Sequence, residues 1–459
     1  MSSQVLGLAD CVRAWPEKPA FYEGERVVTY GEFGARVQRG ARVLEARGVE
    51  AGDRVAIMLP NSITFFEVWA AAGELGASVV LVNSHLKRDE LDYILRDSNA
   101  KVLVDDLDEY EQSVAAVEAE DVVDAPPLSA PVLAAPVFYT SGTTGRPKGV
   151  IHGAFDGDRA QLAQRGQVAL WGWSPDDVYI LSGPAYHAGP GGFVMSALFV
   201  GATSVILPAW DAREWLRLVE RHRVTLSFMT PAHFIRILEI PQDERARFDL
   251  SSLRLVVHGG APCPVPVKRR IIEAFASTEV WELYGASEGG ATRISPQEWL
   301  ARPGSVGVPW PGVDVRILDA DGHVLGSGET GLIYIAPAGG ARFHYHDDPD
   351  KTAQAWRDGA FTVGDIGYLD DDRYLFLTDR ASDMVIRRGV NIYPREIEDV
   401  LYLHPAVVDC AVFGVPDERD GESLKAVVEL RSAVSPDDLR SHVVASLADY
   451  KVPKHIEIV

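Results

Sequence analysis

The sequence predicts an α/β protein. A large N-terminal domain of doubly wound, mostly parallel sheets carries a β-rich subdomain and is followed by a small α+β domain at the C-terminal end. Three observations lead there. Short unbroken runs of Val, Ile and Leu alternate with helix-period segments over the first 260 residues, and strands apolar on both faces belong to parallel sheets covered by helices. After about residue 305 the texture changes to strand-like runs separated by turns such as Asp319-Ala-Asp-Gly322, which reads as hairpins. A chain of 459 residues also exceeds what one hydrophobic core supports.

Taken in order, Val27-Val28-Thr29-Tyr30 reads as a strand entering a helix over about 31–47, where Phe33, Val37, Ala41 and Leu44 fall at helical spacing. Val55–Leu59 is a buried strand closed by Pro60-Asn61. A helix from Phe65 to Leu75, a strand Ser78–Val82, a helix Glu90–Arg96 and a strand Lys101–Val104 continue the alternation. Residues 106–135, acidic and then rich in Ala and Pro, read as a loose surface connection. Strands follow at Tyr179–Leu181, Ser204–Leu207, Thr225–Met229 and Leu253–Val257, with a helix over Ala212–Arg221. Val313–Leu318 and Leu332–Ile335 are the expected hairpin strands of a β-rich subdomain spanning about 305–378. The division expected is 1–378 for the large domain and 379–459 for the small one. The latter holds a helix to Leu403, strands Val407–Phe413 and Leu424–Leu430, and a helix near Pro436–Ala448.

Charge narrows the function. A formal charge of −22 with pI near 5.0 argues against nucleic acid, whose affinity depends on clustered Lys and Arg. It also argues against an anionic membrane surface. Cys11, Cys263 and Cys410 lie too far apart for a disulfide framework or a Cys-x-x-Cys metal site, and a reducing cytoplasm fits. No His-x-x-x-His pair falls on an expected helix, which speaks against structural zinc. The first ten residues lack the basic start and apolar core of a signal peptide. The most apolar span, Phe193–Leu207, is interrupted by Ser196, Gly201, Thr203 and Ser204 and is too short to cross a bilayer.

An anionic ligand of so acidic a protein needs a local cationic site, and one stretch offers it: Tyr139-Thr140-Ser141-Gly142-Thr143-Thr144-Gly145-Arg146-Pro147-Lys148-Gly149-Val150. Glycines let backbone N–H groups turn inward, and hydroxyls with an ammonium complete a phosphate cradle. It is not a Walker loop, because glycine follows Lys148 and no helix-forming run follows it. The bland reading is a flexible Gly/Ser/Thr linker. Further on, Leu283-Tyr284-Gly285-Ala286-Ser287-Glu288 pairs an aromatic able to lie on a base with a hydroxyl beside a carboxylate, which suits a phosphate and its Mg2+. A surface turn is the plain alternative. Gly259-Gly260-Ala261-Pro262 ends a buried strand, where open α/β sheets bind ligands. Phe361–Tyr368 sets Asp365 between glycines, and a carboxylate can accept from both ribose hydroxyls.

Together these stretches resemble, in order and across almost the whole chain, the motifs of the adenylate-forming superfamily, which includes acyl-CoA and aryl-CoA synthetases, luciferases and peptide-synthetase adenylation domains. The resemblance implies a fold with a small mobile C-terminal domain and an AMP-forming acid–thiol ligase that uses ATP, Mg2+ and CoA. It makes Thr140, Ser141, Gly142, Thr143, Thr144, Gly145 and Lys148 the phosphate loop, and Gly260, Ala261 and Pro262 the wall of adenine and acyl pocket. Tyr284 would stack on adenine with Gly285 and Ala286 beside it. Ser287 would touch the α-phosphate, Glu288 hold Mg2+, Asp365 bind ribose, and Arg380 contact ribose and phosphate. Lys148, His187, Ser287, Glu288 and Arg380 are the catalytic candidates, with His187 in Tyr186–Gly192 open to a catalytic or a structural role. Met229–Phe234 resembles another acyl-pocket segment.

Three departures stand out. The hinge position after Arg380 holds Ser382 where Asp or Lys is usual, and Arg388 stands before Gly389 where glycine is common in the loop lining the pantetheine channel. The resemblance also implies a Gly-Lys motif after Tyr450-Lys451-Val452-Pro453-Lys454, whose lysine bridges carboxylate and α-phosphate. The sequence ends at Val459 before it, and the expectation is a C-terminal domain cut short. Acyl transfer to a carrier protein, nitrite activation for aryl-amine diazotisation, and a non-catalytic nucleotide-binding protein are the alternatives. A small carboxylic acid as partner, cytoplasmic location, and a monomer or homodimer complete the expectations.

Overall fold

A computed structural model describes residues 7–117, 128, 134–140, 147–152, 157–387, 390–417 and 421–459. Ser141, Gly142, Thr143, Thr144 and Gly145 of the expected phosphate loop, and Arg388 and Gly389, lie outside the described residues. The chain forms two compact units. One comprises Met1–Met229, Ile240–Val257 and Ala341–Ala353; the other comprises Thr230–Glu239, His258–Gly340 and Gln354–Val459.

The first unit carries the α/β alternation on two sheets. In one, Arg26–Thr29, Pro19–Glu23, Thr203–Ile206, Val178–Leu181, Leu226–Met229 and Leu255–His258 lie side by side. Pro19–Glu23, Thr203–Ile206, Val178–Leu181 and Leu226–Met229 pair parallel in turn. In the other, Val102–Val104, Arg54–Ile57, Ser78–Leu81 and Pro136–Thr140 run parallel, and Lys148–His152 and Phe343–Tyr345 add on antiparallel. Val55, Ala56, Ile57, Val79 and Val80 are fully buried, as strands covered on both faces require. The apolar span 193–207 divides into a helix, Ala188–Val200, and the strand Thr203–Ile206, with Gly201 between them at φ 81°. No helix among the described residues is long and apolar enough to cross a membrane.

Local chemistry sets the helix starts. Thr29 and Glu32 form a reciprocal capping box at the head of Tyr30–Ala46, with Glu32 N–H donating to Thr29 Oγ1 at 3.2 Å and Thr29 N–H to Glu32 Oε2 at 2.8 Å. The reading of 106–135 as a loose connection is corrected over its first part: Leu107–Ala116 is a helix. Asp106 caps it, accepting from Glu109 N–H at 2.9 Å, and Tyr110 and Val114, four residues apart, bury one face. The acidic composition concealed that stripe. A helix over Gly157–Trp171 also went unanticipated.

In the second unit an antiparallel run places Glu279–Ala286, Gly289–Ile294, Ser305–Pro309, Leu375–Arg380, Asp365–Leu369 and Gly331–Ala336 in lateral order, with Asp314–Leu318 also on Gly331–Ala336. Toward the C-terminal end, Val407–Asp417 and Gly421–Leu430 form a long hairpin joined in parallel by His455–Ile458. Helices Pro394–Tyr402 and Pro436–Val444 close its core around Ile397, Leu401, Val412, Leu424, Leu439 and Val443.

One polar side chain fixes the approach to the His187 segment. Asn61 donates to Gly183 O at 3.0 Å and Leu207 O at 3.1 Å, and accepts from Ala185 N–H at 2.8 Å. Asn61→Ala therefore leaves three backbone groups without that partner and is expected to lower stability by about 2 kcal/mol. Urea denaturation checks it, and a change within experimental error would show that water replaces the amide.

Candidate adenylation site

Within the first unit, Thr140 and Lys148 are cross-strand partners at the ends of Pro136–Thr140 and Lys148–His152, so they frame the segment between them. The base of this hairpin is latched. Gly149 lies opposite Tyr139, and a Cβ there would come within 3.2 Å of the tyrosine ring, which can lie across the strand because the glycine has none. The Tyr139 hydroxyl donates to Asp97 Oδ2 at 2.7 Å, and the Tyr93 hydroxyl stands 3.1 Å from Pro147 O. Burial, with Asp97 beside it, pushes the Tyr139 phenol well above its usual pKa, so it remains a donor. The Lys148 ammonium pairs with Asp348 Oδ2 at 2.9 Å, and this hydrogen bond raises its pKa.

His187 occupies the N-cap position of Ala188–Val200, where its side chain makes no capping bond. The ring keeps contact with solvent, yet the surrounding protein pushes its pKa below the ordinary histidine value. A neutral imidazole at a helix N-terminus avoids placing a cation at the positive end of the dipole.

Within the second unit, Glu279–Ala286 and Gly289–Ile294 form a hairpin whose two-residue turn is Ser287-Glu288. The pair can approach so closely because of glycine. A Cβ on Gly285 would sit 2.8 Å from Gly290 Cα, and one on Gly290 would sit 2.0 Å from the Trp310 ring. Gly259 bears on the same strand, its imagined Cβ 2.5 Å from Leu283 O, and Gly260 takes the left-handed φ of 81°. Tyr284, buried in this strand, donates through its hydroxyl to Asp365 Oδ2 at 2.7 Å. Asp365 and Arg380 are cross-strand neighbours, and Arg380 Nε lies 3.3 Å from Asp365 Oδ1. The carboxylate is thus held by a phenol on one oxygen and a guanidinium on the other.

A cavity of about 680 Å3 opens here, lined by Gly260, Ala261, Pro262, Tyr284, Gly285, Asp365 and Arg380. Seven residues singled out from the sequence therefore share one cavity. Ala286, Ser287 and Glu288 follow directly on its wall strand but do not line it. Glu288 and Ser287, half-buried on the turn, offer adjacent hard oxygen donors of the kind Mg2+ takes. Another carboxylate–histidine group, Asp319, Asp321 and His323, sits on a partly exposed turn whose N–H groups already engage Asp319.

Sequence reasoning missed several cavity residues. Glu282 reaches the wall while bonded to Lys268, which is wholly buried and stands 5.0 Å over the Trp299 ring. Asp379 and Glu398 also line it; burial raises both carboxyls, Glu398 to about 7, against the N–H that Val412 donates to Glu398 at 2.8 Å. Arg395 lines it as well. The Glu282–Lys268 partnership spans two separate elements, and no local pattern announces it.

The AMP-binding enzyme family matches residues 8–344, and its C-terminal domain matches residues 396–459. The chain belongs to the AMP-binding enzyme family. It is 36% identical to a feruloyl-CoA synthase of Amycolatopsis sp over 100% of this chain and 95% of that protein. It is 32% identical to a 2-succinylbenzoate–CoA ligase of Geobacillus sp., covering 97% of this chain and 91% of the relative. Among solved structures it resembles o-succinylbenzoate CoA synthetase from Bacillus subtilis in complex with the acyl-adenylate intermediate, with TM-score 0.86, 27% identity, and coverage of 100% of this chain and 95% of that one. The same synthetase has been solved with ATP and magnesium ion. As a family member the chain is an ATP-dependent, AMP-forming acid:CoA ligase working through an acyl-adenylate, with CoA as co-substrate and a small carboxylic acid as substrate.

Two outcomes follow from the site. Tyr284→Phe removes the phenol that orients Asp365 and is expected to raise KM for ATP about tenfold, the scale of a hydrogen bond to a charged group. An unchanged KM would mean that Arg380 alone holds the carboxylate. Burial lowers His233 to a pKa of about 4, and its Nδ1 accepts from Thr230 N–H at 3.0 Å. The unfolded histidine binds a proton near 6.5 and the folded one does not, so this group makes stability rise with pH between about 4 and 6.5. His233→Gln should flatten that part of a stability–pH curve, and a curve of unchanged slope would exclude it.

Proposed function

We propose that the protein activates an aromatic, hydroxycinnamate-type carboxylic acid and passes the acyl group to CoA. The observation that carries this reading is the 36% identity with a feruloyl-CoA synthase over the full chain. The acid's carboxylate oxygen attacks the α-phosphorus of ATP and pyrophosphate departs. The CoA thiol, losing its proton, then attacks the acyl carbonyl and AMP leaves.

In this reading Lys148 and the hydroxyl-rich run after Thr140 meet the phosphates, Ser287 the α-phosphate, and Tyr284, Gly285 and Ala286 the adenine. Asp365 and Arg380 bind the ribose, and His187 borders the acyl group. Glu288 would hold Mg2+, which neutralises phosphate charge when bound. Positioning and charge compensation supply most of the acceleration expected of such a site. Residues 379–459 form the module that turns about Ser382 between the half-reactions. The three cysteines are unpaired, Cys11 and Cys263 being buried, in keeping with a reducing, cytoplasmic location; the reading takes the enzyme as a monomer or homodimer.

A carrier-protein thiol is the second acceptor to consider, because the chain is also 32% identical to a fatty acid–acyl-carrier-protein ligase of Streptomyces coeruleorubidus over 97% of its length. Pyrophosphate release across short, aryl and long-chain acids, with CoA, a carrier protein or neither, tests both points. Hydroxycinnamates should give the highest kcat/KM with CoA; preference for a long-chain acid or carrier protein would overturn the reading. Lys148→Ala is expected to cut acid-dependent ATP–pyrophosphate exchange about 100-fold, and full exchange in that variant would remove Lys148 from the phosphate site.

A further inference from the structure

The Lys148 ammonium is engaged by the protein's own carboxylate, and this partner comes from far along the chain. Asp348 Oδ2 lies 2.9 Å from Lys148 Nζ, and both side chains are 23% exposed. This carboxylate does not sit on a loose loop. Its Oδ1 accepts from Lys351 N–H at 3.0 Å, and its carbonyl accepts from Thr352 N–H at 3.0 Å and from the Thr352 hydroxyl at 2.8 Å. Thr352 Oγ1 in turn accepts from Tyr345 N–H at 2.9 Å.

The strand Phe343–Tyr345 pairs with Lys148–His152, and His346 N–H donates to Gly149 O at 2.8 Å. Backbone bonds therefore fix the platform of Asp348 to the strand that begins with Lys148. Asp97, another acid near the lysine, already accepts from the Tyr139 hydroxyl. The nearby cation, Lys351, stands 4.3 Å over the Tyr345 ring.

We propose that Asp348 is a positioning residue that docks the Lys148 ammonium in a resting place, from which the phosphates of ATP or pyrophosphate must win it. This rests on the reading of Lys148 as a phosphate ligand. Each member of the pair favours the charged form of the other, so protonation change does not release the lysine near neutral pH. A competing anion must do so. While a phosphate occupies the lysine, the Asp348 charge also stands near that anion and repels it. Both effects set nucleotide affinity below what the lysine alone would give.

Asp348→Asn keeps an acceptor for Lys351 N–H and removes the charge. For a partly exposed pair the expected result is a fall of about two- to fivefold in KM for ATP and in Ki for inorganic pyrophosphate, with kcat changed less. The fall should shrink in high salt and be smaller when Asp348→Asn is made in a Lys148→Ala background, where only the direct repulsion of the phosphate by the carboxylate is left to relieve. A role confined to capping Pro349–Ala355 would lower Tm without tightening either constant.

Unchanged or higher constants in Asp348→Asn overturn the proposal, as does an equal fall in the Lys148→Ala background. If Asp348→Asn does not fold, Asp348→Ser, which also caps a helix, is read the same way. Loss of exchange in Lys148→Ala with Asp348→Asn inert defeats this proposal alone. Wild-type exchange and ATP affinity in Lys148→Ala defeat the phosphate reading beneath it.

Discussion

The cavity wall of the second unit depends on backbones meeting where no side chain fits. Gly285 faces Gly290 and Gly289 across the hairpin, and Gly259 faces Leu283 O on the same strand, all at distances shorter than a carbon atom tolerates. Tyr284 stands between these contacts. With its strand held close on both flanks, its hydroxyl meets Asp365 at 2.7 Å, and Asp365 meets Arg380 on the neighbouring strand. Any side chain at these glycines would push the strand outward, and the phenol–carboxylate bond would be the first polar contact to lengthen. The motif's glycines are a packing requirement first, and the chemistry is built on it.

Electrostatics then has to work against the rest of the molecule. A formal charge of −22 opposes an anionic nucleotide at long range, but solvent ions screen exposed charges beyond about 8 Å. The local sum decides. At the cavity wall Glu282 is bonded to the buried Lys268, so its charge is met inside the protein. Glu398, pushed up to about 7 by burial, is partly neutral near neutral pH, and Asp379 is raised in the same direction. The wall is consequently less negative than its residue names suggest, while Arg380 remains two-thirds exposed beside Asp365.

The parts of this design that lie in consecutive residues were legible in the sequence. Val55–Leu59 and Ser78–Val82 announced buried parallel strands, and of the residues expected at a nucleotide site, Gly260–Pro262, Tyr284, Gly285, Asp365 and Arg380 line one cavity. Composition misled where it stood in for pattern. The acidic stretch after residue 105 hid a capped helix whose buried face is only Tyr110 and Val114. Pairings between distant elements left no local trace: Lys148 with Asp348, Glu282 with Lys268, and Asn61 with the carbonyls of Gly183 and Leu207.

That division has a physical basis. The identity of a catalytic group is written in one residue, whereas its charge, direction and availability are set by whatever the fold brings against it. Lys148 shows this most plainly. Its run of neighbours is what led to the expectation of a phosphate ligand, but the group it pairs with is a carboxylate on a strand-to-helix junction tied to its own strand by main-chain bonds. On the hairpin's partner strand, Tyr139 reaches over Gly149 to Asp97, whose charge still acts on the lysine but whose Oδ2 accepts from the phenol. Two acids lie near one lysine, one taken by a tyrosine and one left to pair. The lysine's ion pair follows from that difference and not from the run of residues around it.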